Sequence, residues 1–313
     1  MKLSIVVPVY NTAKFLGECV ESLAEDLPKD CEIVLIDNGS TDGSLELCRE
    51  FAEKYKFVRV LKCARPGAAA VRNFGMKQVR GEYVWFVDSD DYVRRGAARE
   101  ILAVCVRSKA EVVLIGAQKV TETGEEIAGG VLGAVRPEVD KHWRQRFVRY
   151  GLAPWQVICQ REWLIKNALF YDEGMIHEDM AIISSYILYT DKVASVEKPV
   201  YYYRQRKGSV LHGGTWSERE LDIFPALELL AGRFEKVGKF NKYKAELEWF
   251  YIWNLLDDAA REFVKFPEGR REFAEIRRAL RSRFPKWRRN KYFRDCALGV
   301  RLRCRLAYHG IVK

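Results

Sequence analysis

The chain has 313 residues, 48% of them hydrophobic and 31% charged, with a formal net charge of +10. That length and balance imply a packed core, exclude a disordered or fibrous chain, and leave no apolar run near the ~18 residues of a membrane span. The eight cysteines show no Cys-x-x-Cys pair and no zinc spacing, which argues against a metal finger or a disulfide framework.

Leu3 to Val9 predicts a first strand. Its apolar stretch is short and broken by Pro8, so it does not read as a secretory leader, and a cytoplasmic location is expected. A helix over Ala13 to Ala24 follows, capped by Thr12, with Phe15, Leu16, Cys19, Val20 and Leu23 on one face. Glu32 to Ile36 is a second strand. The turn Asn38-Gly39-Ser40-Thr41-Asp42 leads into a helix from Ser44 to Tyr55 capped by Thr41 or Asp42. Val58 to Leu61, a helix from Gly67 to Val79, and the strand Tyr83 to Val87 come next. A helix over Ala97 to Ser108 and a strand over Val112 to Ile115 complete an alternation expected of right-handed βαβ units.

Beyond Ala117 the pattern loosens, and Gly124, Gly129, Gly130 and Gly133 mark loops or a hairpin. Helices are expected over Lys141 to Arg149, Arg161 to Asn167 and Glu178 to Tyr189, with a short strand from Val200 to Tyr203. From Ser217 the signal is helical, interrupted by Pro225, Pro267 and Pro285. The expected organisation is an α/β domain over residues 1–212 and a basic helical region over 213–313. Residues 270–313 hold 15 Lys or Arg against 3 Asp or Glu, a net of +12, so the rest of the chain carries −2. Together with Trp287, Tyr292, Phe293, Leu298, Val300, Leu302, Leu306 and Ile311, that charge suits an anionic membrane surface; a solvated basic face is the plain alternative, and no nucleic-acid module is visible.

The chemistry is concentrated at strand ends. Asp88-Ser89-Asp90-Asp91 follows the apolar run Tyr83 to Val87, and three carboxylates at a buried strand's edge are costly unless a cation neutralises them. Mg²⁺ and Mn²⁺ prefer such oxygen ligands and are shared between carboxylates and phosphates. The alternative is a solvated acidic turn ahead of the next helix. The first strand ends in Pro8-Val9-Tyr10-Asn11 and the second in Ile36-Asp37-Asn38-Gly39-Ser40; if these strands are neighbours, all three ends meet in one crevice. Neither a Gly-x-Gly-x-x-Gly turn nor a P-loop is present, which disfavours a dinucleotide site.

These residues resemble a known family. Val6 to Asn11, Ile36 to Asp42, Gly67-Ala68-Ala69-Ala70-Val71-Arg72-Asn73 and Asp88 to Asp91 look, in that order, like the family 2 glycosyltransferases. The resemblance implies a GT-A fold, a mostly parallel Rossmann-like sheet flanked by helices, here with a helical C-terminal extension. It also implies an inverting enzyme using a nucleotide-diphosphate sugar, with Mn²⁺ or Mg²⁺ as cofactor. Pro8, Tyr10 and Asn11 would line the base and ribose pocket with Asp37 and Asn38. The family often has a second Asp where Asn38 stands. Arg72 would lie near the base or diphosphate, Asp88 and Ser89 at the ribose, and Asp90 on the metal.

His177-Glu178-Asp179 opens a helix, and acidic capping is the plain reading. The resemblance places the base at Asp179, with Glu178 orienting the acceptor or the helix. Arg204 and Arg206 would close over the diphosphate, His212 would complete the metal shell or be a surface histidine, and Trp155 would stack on an acceptor sugar or simply pack. The expected acceptor is a glycan or lipid-linked glycan at the inner face of the cell membrane. The competing readings are a nucleotide-sugar binding protein without transfer and, more remotely, a nucleotidyltransferase, for which the Gly-rich basic loop after the first strand is missing.

Overall fold

The computed structural model describes residues 1–206 and 216–311. They divide into two compact units, one of residues 1–143, 152–174 and 189–206, the other of 144–151, 175–188 and 216–311. The helical unit therefore includes two stretches that the sequence reading placed in the first domain. His212 lies outside the described residues.

The first unit begins with β1 (Leu3–Val9), α1 (Ala13–Ala24), β2 (Cys31–Asp37), α2 (Ser44–Lys54), β3 (Val58–Lys62), α3 (Ala68–Gln78) and β4 (Tyr83–Phe86). It continues with β5 (Tyr92–Val93), α4 (Ala97–Ser108), β6 (Val112–Leu114), β7 (Ala117–Val120) and β8 (Glu126–Leu132). After α5 (Trp143–Tyr150), which enters the second unit, come β9 (Val157–Gln160) and α6 (Arg161–Lys166), and later β10 (Val193–Ser195) and β11 (Tyr201–Arg204).

The main sheet runs β10-β6-β9-β4-β1-β2-β3, with β1 parallel to both β2 and β4. β9 lies antiparallel between β4 and β6, a strand the sequence reading did not separate from its surroundings. Its four residues are too few for periodicity to register. The smaller sheet, β5-β11-β7-β8, contains the glycine-rich hairpin.

The central strands are covered on both faces, which is why they read as continuous apolar runs. Leu3, Ile5, Val7, Ile33, Leu35, Tyr83 and Trp85 join one core with Leu16, Cys19 and Val20 of α1 and Ile101 and Cys105 of α4. The other face takes α3 at close range: a Cβ on Gly75 would lie 2.8 Å from Val6 Cγ1 and 2.9 Å from Ile36 Cδ1.

The second unit is built of helices. α7 (Glu178–Ile182) continues into a 3-10 turn, Ile183–Leu188, where a single helix to Tyr189 was expected. α8 (Ile223–Lys236), α9 (Lys244–Ile252), a π-helical segment Trp253–Ala259 and α10 (Ala260–Phe263) follow. Then come α11 (Pro267–Arg271), α12 (Phe273–Arg283), α13 (Lys291–Asp295) and α14 (Leu298–Tyr308). No described helix is long and apolar enough to cross a membrane.

Candidate active site

β1 sits between β2 and β4, so the ends of the three strands converge by register: Val9 lies beside Asp37, and the Val87 amide donates to the Val6 carbonyl at 3.0 Å. The loops beyond them are tied together by side chains. Asn11, at φ 50, accepts from the Thr41 amide at 2.8 Å and donates its own amide to Ser40 Oγ at 3.2 Å. Asp42 accepts from the Ala13 amide at the start of α1 (2.9 Å) and from the Ser44 amide and hydroxyl at the start of α2 (3.1 and 2.6 Å). Burial alone would raise its pKa, but these bonds outweigh it and hold the carboxyl below its usual range. The Thr12 hydroxyl makes no capping bond; it donates to Ser89 Oγ at 2.9 Å and so joins the first loop to the acidic one.

Asp37 is buried and accepts from the Gly39 and Ser40 amides at 3.1 and 3.2 Å. Asn38 does not turn its amide to an open pocket. Its nitrogen donates to the Cys63 and Arg65 carbonyls at 2.8 Å each, and its oxygen accepts from the Gly67 amide at 2.9 Å. That brace sets the N-terminus of α3, where Gly67 has φ 100. From α3, buried Arg72 donates to Asp88 Oδ1 at 3.3 Å. Asn73, which the sequence reading gave no role, holds Tyr171 through its carbonyl and amide at 2.9 Å each. Pro8 is half-buried, and Tyr10 stands 61% exposed at the end of β1.

The acidic loop is braced from β11. Asp91 is 1% exposed and accepts from the Tyr201 hydroxyl at 2.6 Å and the Arg204 amide at 2.8 Å, while Tyr201 accepts from the Asp88 amide at 3.2 Å. Burial, then the charges of Asp90 and Asp88, push the Asp91 carboxyl well above its ordinary range. The same field adds to burial in raising Cys19 and Tyr201, and in pushing Tyr203 up to about 12. Asp91, Cys19, Tyr201 and Tyr203 are thus held toward their neutral forms by burial and by negative charge that favours added positive charge.

Arginine supplies that charge. Arg206 Nε lies 2.5 Å from Asp90 Oδ2. Arg204 is 5% exposed and holds the Asp90 carbonyl, the Glu122 carbonyl and Glu18 with its guanidinium. Arg204 is thus a buried support for the acidic loop rather than an open lid, and Glu18 and Tyr201 are partners that no motif marked. Among the described residues, no group of three or more His, Cys, Asp or Glu surrounds one point to hold an ion unaided.

Trp155 departs from the acceptor-stacking expectation. It is 3% exposed, its ring lies 4.4 Å from Tyr201 at an interplanar angle of 4°, and its carbonyl accepts from Trp85 Nε1 at 2.9 Å. Its faces belong to the core.

Glu178 and Asp179 are in the helical unit, at the start of α7, which packs on α8. His177 precedes them at φ 64, and the Ile176 amide donates to Asp222 Oδ2 at 2.9 Å. Burial pushes the His177 imidazole down, against the pull of Glu178 and Asp222. Glu178 is buried, and Asp179 is partly exposed with Oδ1 accepting from the Met180 amide at 2.8 Å.

Comparisons with known proteins identify the family and the fold. Residues 4–172 match the family model described as glycosyl transferase family 2. The glycosyltransferase GlyG of Streptococcus pneumoniae is 28% identical over 80% of this chain and 90% of its own length. An uncharacterised glycosyltransferase of Bacillus subtilis, EpsJ, is 30% identical over 77% of this chain and 70% of its own. Among solved structures, residues 1–349 of Staphylococcus aureus TarS in complex with UDP-GlcNAc superpose with a TM-score of 0.72. That likeness covers 99% of this chain and 88% of that one at 21% identity, and it supports the GT-A fold.

Proposed function

The chain belongs to glycosyl transferase family 2 and is a glycosyltransferase; we propose that it is a metal-dependent, inverting enzyme that moves a sugar from a nucleotide-diphosphate sugar, a UDP-sugar first, to a glycan or lipid-linked glycan hydroxyl. The observation that carries this reading is the cross-bonded meeting of the β1, β2 and β4 ends around Asp88, Asp90 and Asp91. The UDP-GlcNAc bound by the TarS fragment supports the choice of donor.

The exposed Tyr10 ring offers a face for the base, beside the buried Asp37 carboxylate. Asp88, steadied by Arg72, accepts from ribose. Asp90 would hold Mn²⁺ or Mg²⁺, whose chemistry there is to neutralise charge on the departing diphosphate. Asp90's present pairing with a guanidinium fits a cation at that position. Asp179 takes the proton from the acceptor hydroxyl. The freed oxygen forms its bond to the anomeric carbon as the bond to the nucleoside diphosphate breaks, and the bonding pair leaves with the diphosphate.

The test is hydrolysis and transfer by the purified protein against a panel of nucleotide sugars, with Mn²⁺ or with EDTA, for the wild type and Asp90→Asn. Asp90→Asn is expected to keep its fold, to lose turnover and to lose the Mn²⁺ dependence of nucleotide binding. Full turnover in EDTA, or unchanged turnover in Asp90→Asn, overturns the metal reading.

A further inference from the structure

The basic tail does not present the residues that its sequence advertises. Trp287 and Phe293 are each 1% exposed, and their rings meet at 5.0 Å. The Arg288 guanidinium lies 4.6 Å from both the Trp287 and the Tyr308 rings. These aromatics close the core of the helical unit. What faces outward is aliphatic.

α14 buries Cys304, Ala307 and Tyr308 at 0%, 2% and 4% exposure, and it packs against the π-helical segment and α12. Arg281 Nε donates to the Tyr308 hydroxyl at 2.6 Å, fixing the helix by its inner face. On the opposite face Leu298, Leu302 and Leu306 recur every fourth residue at 72%, 56% and 37% exposure, and Ile311 follows at 54%. Single exposed leucines are ordinary, but an aligned row on one helix face is an unpartnered apolar surface. At 100° per residue, Arg301 and Arg305 flank the row on one side and Arg303 on the other. Arg303 also binds Asp257 at 3.1 Å, so its stem is held along the helix. In sequence, the segment from Lys286 to Arg305 carries eight Lys or Arg and one acid, Asp295.

We propose that the outer face of α14 is a docking surface for an anionic lipid bilayer. The leucine row lies in the plane between headgroups and acyl chains, and Arg301 and Arg305 reach the phosphates. Charge decides among occupants. A second copy of this face would set arginine rows against arginine rows, and a nucleic acid would leave the leucines in water. A leaflet with anionic headgroups satisfies both the apolar row and its basic flanks. The inference does not rest on the donor, metal or base assignments.

The experiment is flotation of the full chain with vesicles of phosphatidylcholine alone or mixed with phosphatidylglycerol. The wild type is expected to float with the anionic vesicles and to be released by salt, since exposed charges are screened within ~8 Å at physiological ionic strength. The triple variant Leu298→Ser, Leu302→Ser, Leu306→Ser is expected to bind those vesicles at least roughly tenfold more weakly, because the apolar area that would enter the interface is gone. Its circular dichroism and donor hydrolysis should match the wild type and its melting temperature should stay close to it, as all three are exposed side chains, Leu306 least so at 37%. Arg301→Gln with Arg305→Gln should weaken binding to anionic vesicles and leave the low affinity for neutral ones unchanged. Wild-type affinity in the leucine variant overturns the proposal, as does a wild type that ignores anionic vesicles. A wild-type dimer that the leucine substitutions dissociate would give the face to a second copy and overturns it too. Loss of donor hydrolysis in every form, with flotation intact, would fail the enzymatic reading and leave this one standing.

Discussion

Asn38 shows how one side chain can be committed twice over. Where the family often has a second aspartate, its amide donates to two carbonyls 2.8 Å away, and a carboxylate in its place would face them without a proton to give. Its side chain therefore serves the loop that starts α3. Asp179 is the opposite case, because its contact with the Met180 amide needs only an oxygen. Asp179→Asn keeps that acceptor and removes the basicity. Transfer is expected to fall by roughly 10²–10⁴-fold while donor binding, followed calorimetrically, is retained. Near-wild-type transfer would move the base elsewhere, to Glu178 first.

At the scale of elements, the site is a set of loop ends held by short polar bridges over a rigid sheet. Asp42 serves the first turns of α1 and α2 together, and Thr12 gives up its capping role to reach Ser89. The floor beneath them depends on how closely α3 approaches β1 and β2. In an exposed helix interior, replacing glycine by alanine would gain about 1 kcal/mol. At Gly75 the added methyl would meet Val6 and Ile36 inside 3.0 Å, and overpacking of that kind costs typically about 1–3 kcal/mol. Gly75→Ala is therefore expected to lower the urea midpoint and weaken nucleotide binding as α3 shifts. A raised midpoint would show that the strands yield.

For the molecule as a whole, one contribution to acid stability comes from Glu32, on β2 at the end of the sheet remote from the site. It is 2% exposed and gathers the Ser4 hydroxyl (2.7 Å), the Arg80 amide (2.8 Å) and Arg59 (2.9 Å). Burial alone would raise its pKa, but these donors outweigh it and hold the carboxyl below its ordinary 4.5. A lowered carboxyl stabilises the fold above its unfolded pKa, and that contribution disappears as pH falls through the folded one. Glu32→Gln should thus cost about 2 kcal/mol at neutral pH, and the gap to wild type should close as the medium is taken below about pH 4. A gap that does not change with pH would mean that shape, not charge, is what Glu32 supplies. The sequence by itself determined the alternation of β1 to α4, because strands covered on both faces are written as unbroken apolar runs and helices by their four-residue rows. It also determined the motif ends, because carboxylates and amides at strand termini are conspicuous in so apolar a context. Only the tertiary structure decided that β9 enters antiparallel and that Trp155 faces Tyr201. It also decided that Arg204 is buried under the acidic loop, and that the tail hides its aromatics while exposing Leu298, Leu302 and Leu306. Each of these depends on a partner distant in the chain, and a sequence pattern records only what a residue's near neighbours require.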